Sequence, residues 1–284
     1  MNDETALLAG LDPESRAGVE VLLGAMDDRD ISAGQRIRNT LVSDLGNLDG
    51  QEPPEAGSSA WLAASIDAVP TVADWMRRRG VDELIVSATL SDVGRQLQLH
   101  HRHTGRVGFD VPGWMGAVLC GNFYQLGRLQ FELRQWRGGE PRPAISAGEF
   151  VLDVHIPATG PLDPPAVLAS FAQAADFFPR YFPKQLTDLA ICGTWLLDPY
   201  LVEHLPATSN ITAFQQQFTL YGEPRDDELD AMYFVFGRRS LDNLDDLPRR
   251  TALQRLVLTR IEAGGSWQVV HGFRALTGQN SSGR

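Results

Sequence analysis

Phe150-Val151-Leu152-Asp153-Val154-His155-Ile156-Pro157, then Ala158-Thr159-Gly160-Pro161-Leu162 and Asp163-Pro164, is the stretch whose reading decides the fold. Residues 150–157 alternate with period two, the pattern of a strand with one face buried. Asp163 followed by Pro164 is a helix start, a capping side chain before a proline that needs no N–H at the first helical position. Val167, Phe171, Ala174 and Phe178 then line one face at helical spacing. Residues 189–196 read as the next strand. Strand, helix and strand in that order make a βαβ unit, whose two strands run parallel with a right-handed crossover.

Working outward, residues 127–133 alternate as an earlier strand, separated from 150–157 by a Gly- and Pro-rich loop over 138–148. Residues 210–218 suit a short helix. Residues 231–237, nearly all apolar, read as a strong strand. Leu253, Leu256, Val257 and Ile261 mark a last helix that Gly264 ends, and 267–270 begin a final strand. Hairpins beside a parallel pair predict a mixed α/β sheet. The first hundred residues read as helices. Asp12 caps one behind Pro13, and another runs through Ile37 and Leu41. Residues 51–59 form a polar loop. Trp61, Leu62 and Ile66 start a helix that Pro70 interrupts, Val72, Trp75 and Met76 begin the next, and Gly80 ends it. One longer helix carries Leu90, Val93 and Leu97. The expected division is a helical domain over 1–124, an α/β domain over 125–276 and a flexible tail over 277–284.

The chain has 284 residues, of which 43% are hydrophobic and 21% charged, enough for a substantial core. Its formal net charge of -11 disfavours nucleic acid and mildly favours an amine-bearing partner. Two distant cysteines, Cys120 and Cys192, build neither a disulfide framework nor a zinc site. No basic leader or bilayer-length apolar run is present, so a cytoplasmic protein without membrane contact is expected.

Chemistry is sought where residues 150–157 run into the helix, because backbone N–H groups there can cradle an anion. A second place is the hairpin. Arg128, Gln130, Glu132 and Arg134 share one face of its first strand, and Val151, Asp153 and His155 share one face of its second. A loop symmetric about 142 and 143 sets Glu132 against Asp153 and Gln130 against His155. Facing carboxylates repel, which raises the pKa of one of them, and a carboxylate of raised pKa suits a general base. The plainer alternative is a solvated face with Arg128 and Arg134 neutralising the acids. His100, His101 and His103 read as a solvated helix end rather than a metal site, and Cys192 and Trp195 read as core. His204 and His271 have no partner legible in the sequence. No P-loop, dinucleotide fingerprint, serine-hydrolase elbow or zinc-protease motif occurs.

Residues 154–162, together with Gly127-Arg128-Leu129-Gln130-Phe131-Glu132, Trp195-Leu196-Leu197-Asp198-Pro199 and Leu205-Pro206 through Ser209-Asn210-Ile211, carry a resemblance by their order. The chain resembles a two-domain GNAT-like acyltransferase family, in which a helical N-acyltransferase N-terminal domain precedes a GNAT-like C-terminal domain. The resemblance implies an acyl-CoA co-substrate, acetyl-CoA first, with no metal. It implies a small-molecule or peptide amine acceptor, with a homodimer possible. It assigns Val154, Ile156, Ala158, Thr159, Gly160, Leu162 and Asn210 to the cofactor. Glu132, Asp153 and His155 are then the catalytic candidates. The family's usual loop has two glycines where this one has Gly160 alone. Pro161, Pro164 and Pro165 withhold N–H donors, and Asp163 adds negative charge. Gln217 stands near the position of the family's frequent proton-donating tyrosine. A non-catalytic binding or regulatory module on the same fold is therefore the alternative reading.

Overall fold

The computed structural model describes residues 1–47, 55–137, 145–185 and 187–276. The turn about 142 and 143, the first part of the polar loop and the tail over 277–284 lie outside the described residues. The chain divides into two compact units. The first comprises 1–126 and 130–135, the second 127–129 and 136–284.

The first unit carries α1 (Asp3–Leu8), α2 (Pro13–Gly24), α3 (Asp28–Ser43), α4 (Ser58–Arg78), α5 (Glu83–Leu90), α6 (Asp92–Thr104) and α7 (Trp114–Leu119). The Asp12 side chain accepts from Ser15 N and Pro13 opens α2, as the sequence predicts. Pro70, however, does not interrupt its helix: α4 runs unbroken from Ser58 to Arg78. A mid-helix proline costs about 3 kcal/mol. Trp61, Leu62, Ile66, Val69, Val72 and Met76 are all buried along α4, and that burial outweighs the lost hydrogen bond. The single helix expected through Leu90 and Leu97 is two, parted at Ser91. The first turn of α6 is drawn onto the α1–α2 turn, where Gly94 N donates to Ala9 O at 2.8 Å. A Cβ on Gly94 would stand 2.2 Å from Gly10 O, so the backbones meet there only because the residue is glycine.

The strands are β1 (Phe123–Leu126), β2 (Leu129–Gln135), β3 (Phe150–His155), β4 (Leu189–Thr194), β5 (Thr219–Asp226) and β6 (Gln268–Ala275), in sheet order β1-β2-β3-β4-β6-β5. Gly127, at φ +64°, lies in the turn between β1 and β2 rather than within a strand. In the second unit, β3 and β4 are parallel while β4–β6 and β5–β6 are antiparallel, so the sheet is mixed as expected. Between β3 and β4 runs α8 (Pro164–Tyr181). Pro164 opens α8, but Asp163 makes no side-chain cap bond. After β4 come α9 (Pro199–His204), α10 (Asn210–Gln215), α11 (Glu228–Phe236) and α12 (Ala252–Glu262).

α11 replaces the strand expected over 231–237. A short apolar run has no period that separates strand from buried helix, so its ends decide. Asp227 accepts from Asp230 N at 3.3 Å to start the helix, and Gly237 at φ +71° ends it. β5 carries a register shift between Tyr221 and Arg225 beside Gly222, which hides its period in the sequence.

The Trp195-Leu196-Leu197-Asp198-Pro199 stretch holds the second unit together. Trp195 and Trp267 meet edge to face at 5.6 Å, both buried. Asp198 accepts from Tyr200 N at 2.9 Å and from Gln268 N at 3.1 Å. Its Oδ2 lies 2.7 Å from Arg260, whose guanidinium lies over both the Tyr200 ring (4.1 Å) and the Trp267 ring (4.7 Å), which meet at 87°.

Candidate active site

The parallel pair of the second unit, β3 and β4, is joined over only part of its length. Cα partners across β3 and β4 are Leu152–Ala190 and Asp153–Ile191. β4 meanwhile pairs with β6 along its whole length, from Leu189 to Thr194. Val154 and His155 have left the ladder, so the strands part just before β3 gives way to the loop over 156–163. Such parting exposes backbone groups that need other partners. The Val154 carbonyl finds one in the buried Cys192, whose Sγ approaches it at 3.4 Å.

Pro157 and Leu162 anchor the loop in the protein while Ala158, Thr159 and Gly160 are exposed. Gly160 sits at φ +130°, a conformation other residues rarely adopt. Thr159 N is spent on Pro157 O at 2.8 Å. The amides of Ala158, Gly160 and Leu162 make no hydrogen bond among the described residues. Arg128, from the β1–β2 turn, reaches into the loop. Its Nε donates to Pro161 O at 2.9 Å, and its two terminal nitrogens donate to Pro157 O at 2.9 Å and Gly160 O at 2.7 Å. Burial lowers the Arg128 pKa from its ordinary value. Ser170 Oγ on α8 accepts from Arg128 N at 2.8 Å and so fixes the base of the arm. Arg128 thus serves the loop.

One face of the sheet carries a row of candidate side chains. Gly193 partners His271 on β6, and His271 partners Tyr221 on β5. The His271 and Tyr221 rings lie 5.7 Å apart. A Cβ on Gly193 would stand 2.9 Å from the His271 ring, so the imidazole rests on bare backbone. The sequence shows no partner for His271 because cross-strand register is not a local signal. The opposite face is covered: Arg274 stacks on Phe171 of α8 at 3.9 Å, and Phe218 lies against Gly272. Asn210 is the first residue of α10, with Ser209 as its cap. Gln217 donates to Ala213 O at 3.2 Å and accepts from Arg274 at 2.9 Å.

In the first unit Glu132 is half-buried on β2. Its neighbour on the same face, Gln130, is buried and donates to Asp92 Oδ1 at 2.9 Å. A simple solvated face is therefore not what β2 carries. Asp92, itself buried, also accepts from Arg95 at 2.9 Å and Trp114 at 2.9 Å. His100 and His103 share Asp110, at 2.7 Å and 3.0 Å, rather than ending in solvent. Among the described residues no group of three or more His, Cys, Asp or Glu is placed to hold a metal. No helix among them is long and apolar enough to cross a membrane.

Neither thiol is set up as a nucleophile. Burial pushes the Cys120 pKa up to about 12, and the Glu132 charge adds to the rise. Burial, then the Asp153 charge, pushes Cys192 well above the ordinary thiol value. Iodoacetamide at about pH 8 is expected to label neither in the native protein and both in guanidinium. Rapid native labelling of Cys192 would overturn this.

Two family models match the chain: an N-acyltransferase N-terminal domain over residues 2–121 and a GNAT-like C-terminal domain over 123–274. No curated protein matches it. Among solved structures, an acyltransferase mutant in complex with octanoyl-CoA is 28% identical with a TM-score of 0.82, over 96% of this chain and 87% of that one. An acyltransferase in complex with decanoyl-CoA and teicoplanin has a TM-score of 0.81 at 28% identity, with the same 96% and 87% coverage. Another, in complex with decanoyl-CoA, has a TM-score of 0.76 at 25% identity and covers 97% and 99%.

Proposed function

Because this chain belongs to the family that joins an N-acyltransferase N-terminal domain to a GNAT-like C-terminal domain, we propose that it moves a medium-chain acyl group from acyl-CoA to an amine. The observation that carries this reading is the parting of β3 from β4 beyond Asp153 and Ile191, beside a loop whose Ala158, Gly160 and Leu162 amides make no hydrogen bond among the described residues. Coenzyme A lies along that opening, with its pyrophosphate at Ala158, Thr159, Gly160 and Leu162 and its thioester near Val154 and Ile156. Asn210 borders it from α10. Acetyl is the donor the sequence alone suggests. The octanoyl- and decanoyl-CoA complexes of the structural neighbours favour a longer chain, and the teicoplanin complex favours a small-molecule acceptor.

Glu132, Asp153 and His155 are the candidates to take the ammonium proton. His155 stands at the open end of the strand pair, whereas Asp153 is at its last joined position. The freed amine attacks the thioester carbon, the C–N bond forms, the nitrogen gives up its second proton to solvent, the C–S bond breaks, and coenzyme A leaves as a thiolate that solvent protonates. Backbone N–H groups at the end of β3 orient the carbonyl and stabilise its developing charge. A binding module without turnover is the second reading, favoured by Gln217, an amide already engaged by Arg274.

Calorimetric titration with coenzyme A, acetyl-CoA and octanoyl-CoA tests both. Saturable binding is expected, with octanoyl-CoA tighter than acetyl-CoA by about tenfold or more, since each buried CH₂ contributes about 0.8 kcal/mol. Binding without transfer to any amine would select the second reading. No binding of a folded sample at millimolar ligand would sink both.

A further inference from the structure

The loop over 156–163 has one glycine and several prolines, yet the proposed function asks it to present N–H groups to a pyrophosphate. Its own sequence does not explain how. The explanation lies in Arg128, whose guanidinium gathers the Pro157, Gly160 and Pro161 carbonyls at 2.9, 2.7 and 2.9 Å. In a trans peptide the C=O of one residue and the N–H of the next point in opposite directions. Drawing Pro157 O toward Arg128 therefore turns the Ala158 N–H away from it, and drawing in Pro161 O does the same for Leu162. The third peptide, Gly160–Pro161, has no N–H to aim and acts only as an anchor.

We propose that Arg128 is the positioning residue of this loop: its three-way grip aims the Ala158 and Leu162 amides outward as donors for the pyrophosphate of acyl-CoA. The inference rests on the acyl-CoA reading above. Three features make the grip rigid. The guanidinium is planar with its N–H groups in a fixed fork, which a lysine ammonium cannot reproduce. Ser170 Oγ, which donates to Ala166 O at 2.9 Å, receives both Arg128 N and Leu129 N, at 2.8 and 3.3 Å. The turn itself requires Gly127, at φ +64°, where a Cβ would stand 2.9 Å from Ser170 Oγ. The same guanidinium also brings positive charge to a loop that has no basic residue and carries Asp163.

The test compares wild type, Arg128→Met and Arg128→Lys against three probes: octanoyl-CoA by calorimetry, and octanoyl-pantetheine and inorganic pyrophosphate by NMR titration. Octanoyl-pantetheine keeps the acyl arm but lacks the pyrophosphate. In Arg128→Met, octanoyl-CoA and pyrophosphate are expected to weaken on the order of 10- to 100-fold, the scale of effect that misplacing a binding group produces. Octanoyl-pantetheine should stay within about twofold. Arg128→Lys keeps the charge without the fork and is expected to remain much weaker than wild type. Equal weakening of octanoyl-CoA and octanoyl-pantetheine would reduce Arg128 to a general structural role. Unchanged octanoyl-CoA affinity in Arg128→Met, or full rescue by lysine, would overturn the proposal. If the wild type binds pyrophosphate but not octanoyl-CoA, the acyl-CoA reading fails while Arg128→Met still decides the loop. If it binds neither, both fail.

Discussion

Replacing His155 by Gln is expected to lower kcat/KM for acyl transfer by about 10²- to 10⁴-fold, the usual contribution of a positioned general base. Octanoyl-CoA affinity should stay nearly constant, because the change removes proton acceptance rather than a thioester contact. The geometry gives His155 this rank. β3 and β4 are joined at Asp153 and Ile191 and parted after them, so a thioester bound in the opening, as proposed above, would lie beyond Asp153, on the His155 side. Imidazole is also the side chain that most readily exchanges a proton near neutrality. Asp153→Asn and Glu132→Gln, assayed beside it with whatever amine supports wild-type turnover, are expected to lose less. His155→Gln turnover within about threefold of wild type would move the proton elsewhere. Glu132 and Asp153 would then be next, followed by His271 on its glycine seat.

The second large effect is on stability. Asp198→Ala is expected to destabilise the second unit by about 3–5 kcal/mol. Removing the carboxylate strands a guanidinium that is only 16% exposed and packed on the Tyr200 and Trp267 rings. It also strips the Tyr200 and Gln268 amides of their acceptor. For a unit of this size the melting temperature should fall by about 10 °C. Because most of the penalty is the stranded charge, the double substitution Asp198→Ala with Arg260→Met should cost less than the two single changes added. Thermal melts of the four proteins decide it. A single-mutant loss below about 1 kcal/mol, or strict additivity, would show that the pair is not the unit's fastening.

The parts of the fold that could be read locally were those with a long period and a marked end. β3 alternates over its whole length and α8 opens on Pro164, so the βαβ unit was legible. α11 was not, because its apolar run has no period and only the flanking Asp227 and Gly237 make it a helix. β5 escaped notice where Gly222 and the register shift break its alternation. Pro70 misled in the other direction, since burial on α4 is a tertiary quantity that no local rule contains. For the candidate site, the strand end and its loop were visible. Arg128 was visible only as a face-mate of Glu132, because nothing local tells a turn residue where its arm will reach. The Gly193–His271 seat depends on partners nearly eighty positions apart in the chain.

The turn that bears Arg128 also bears on how the protein can be divided. Residues 127–129 belong to the second unit, while 126 before them and 130–135 after them belong to the first. No single cut therefore frees the second unit whole. A fragment beginning at Trp136 keeps β3 and its loop but leaves behind the arm that shapes them. One beginning at Gly127 keeps the arm but drags along Gln130, whose amide is committed to Asp92. The two units are interleaved in covalent order, so the protein is expected to be handled, inherited and recombined as one piece.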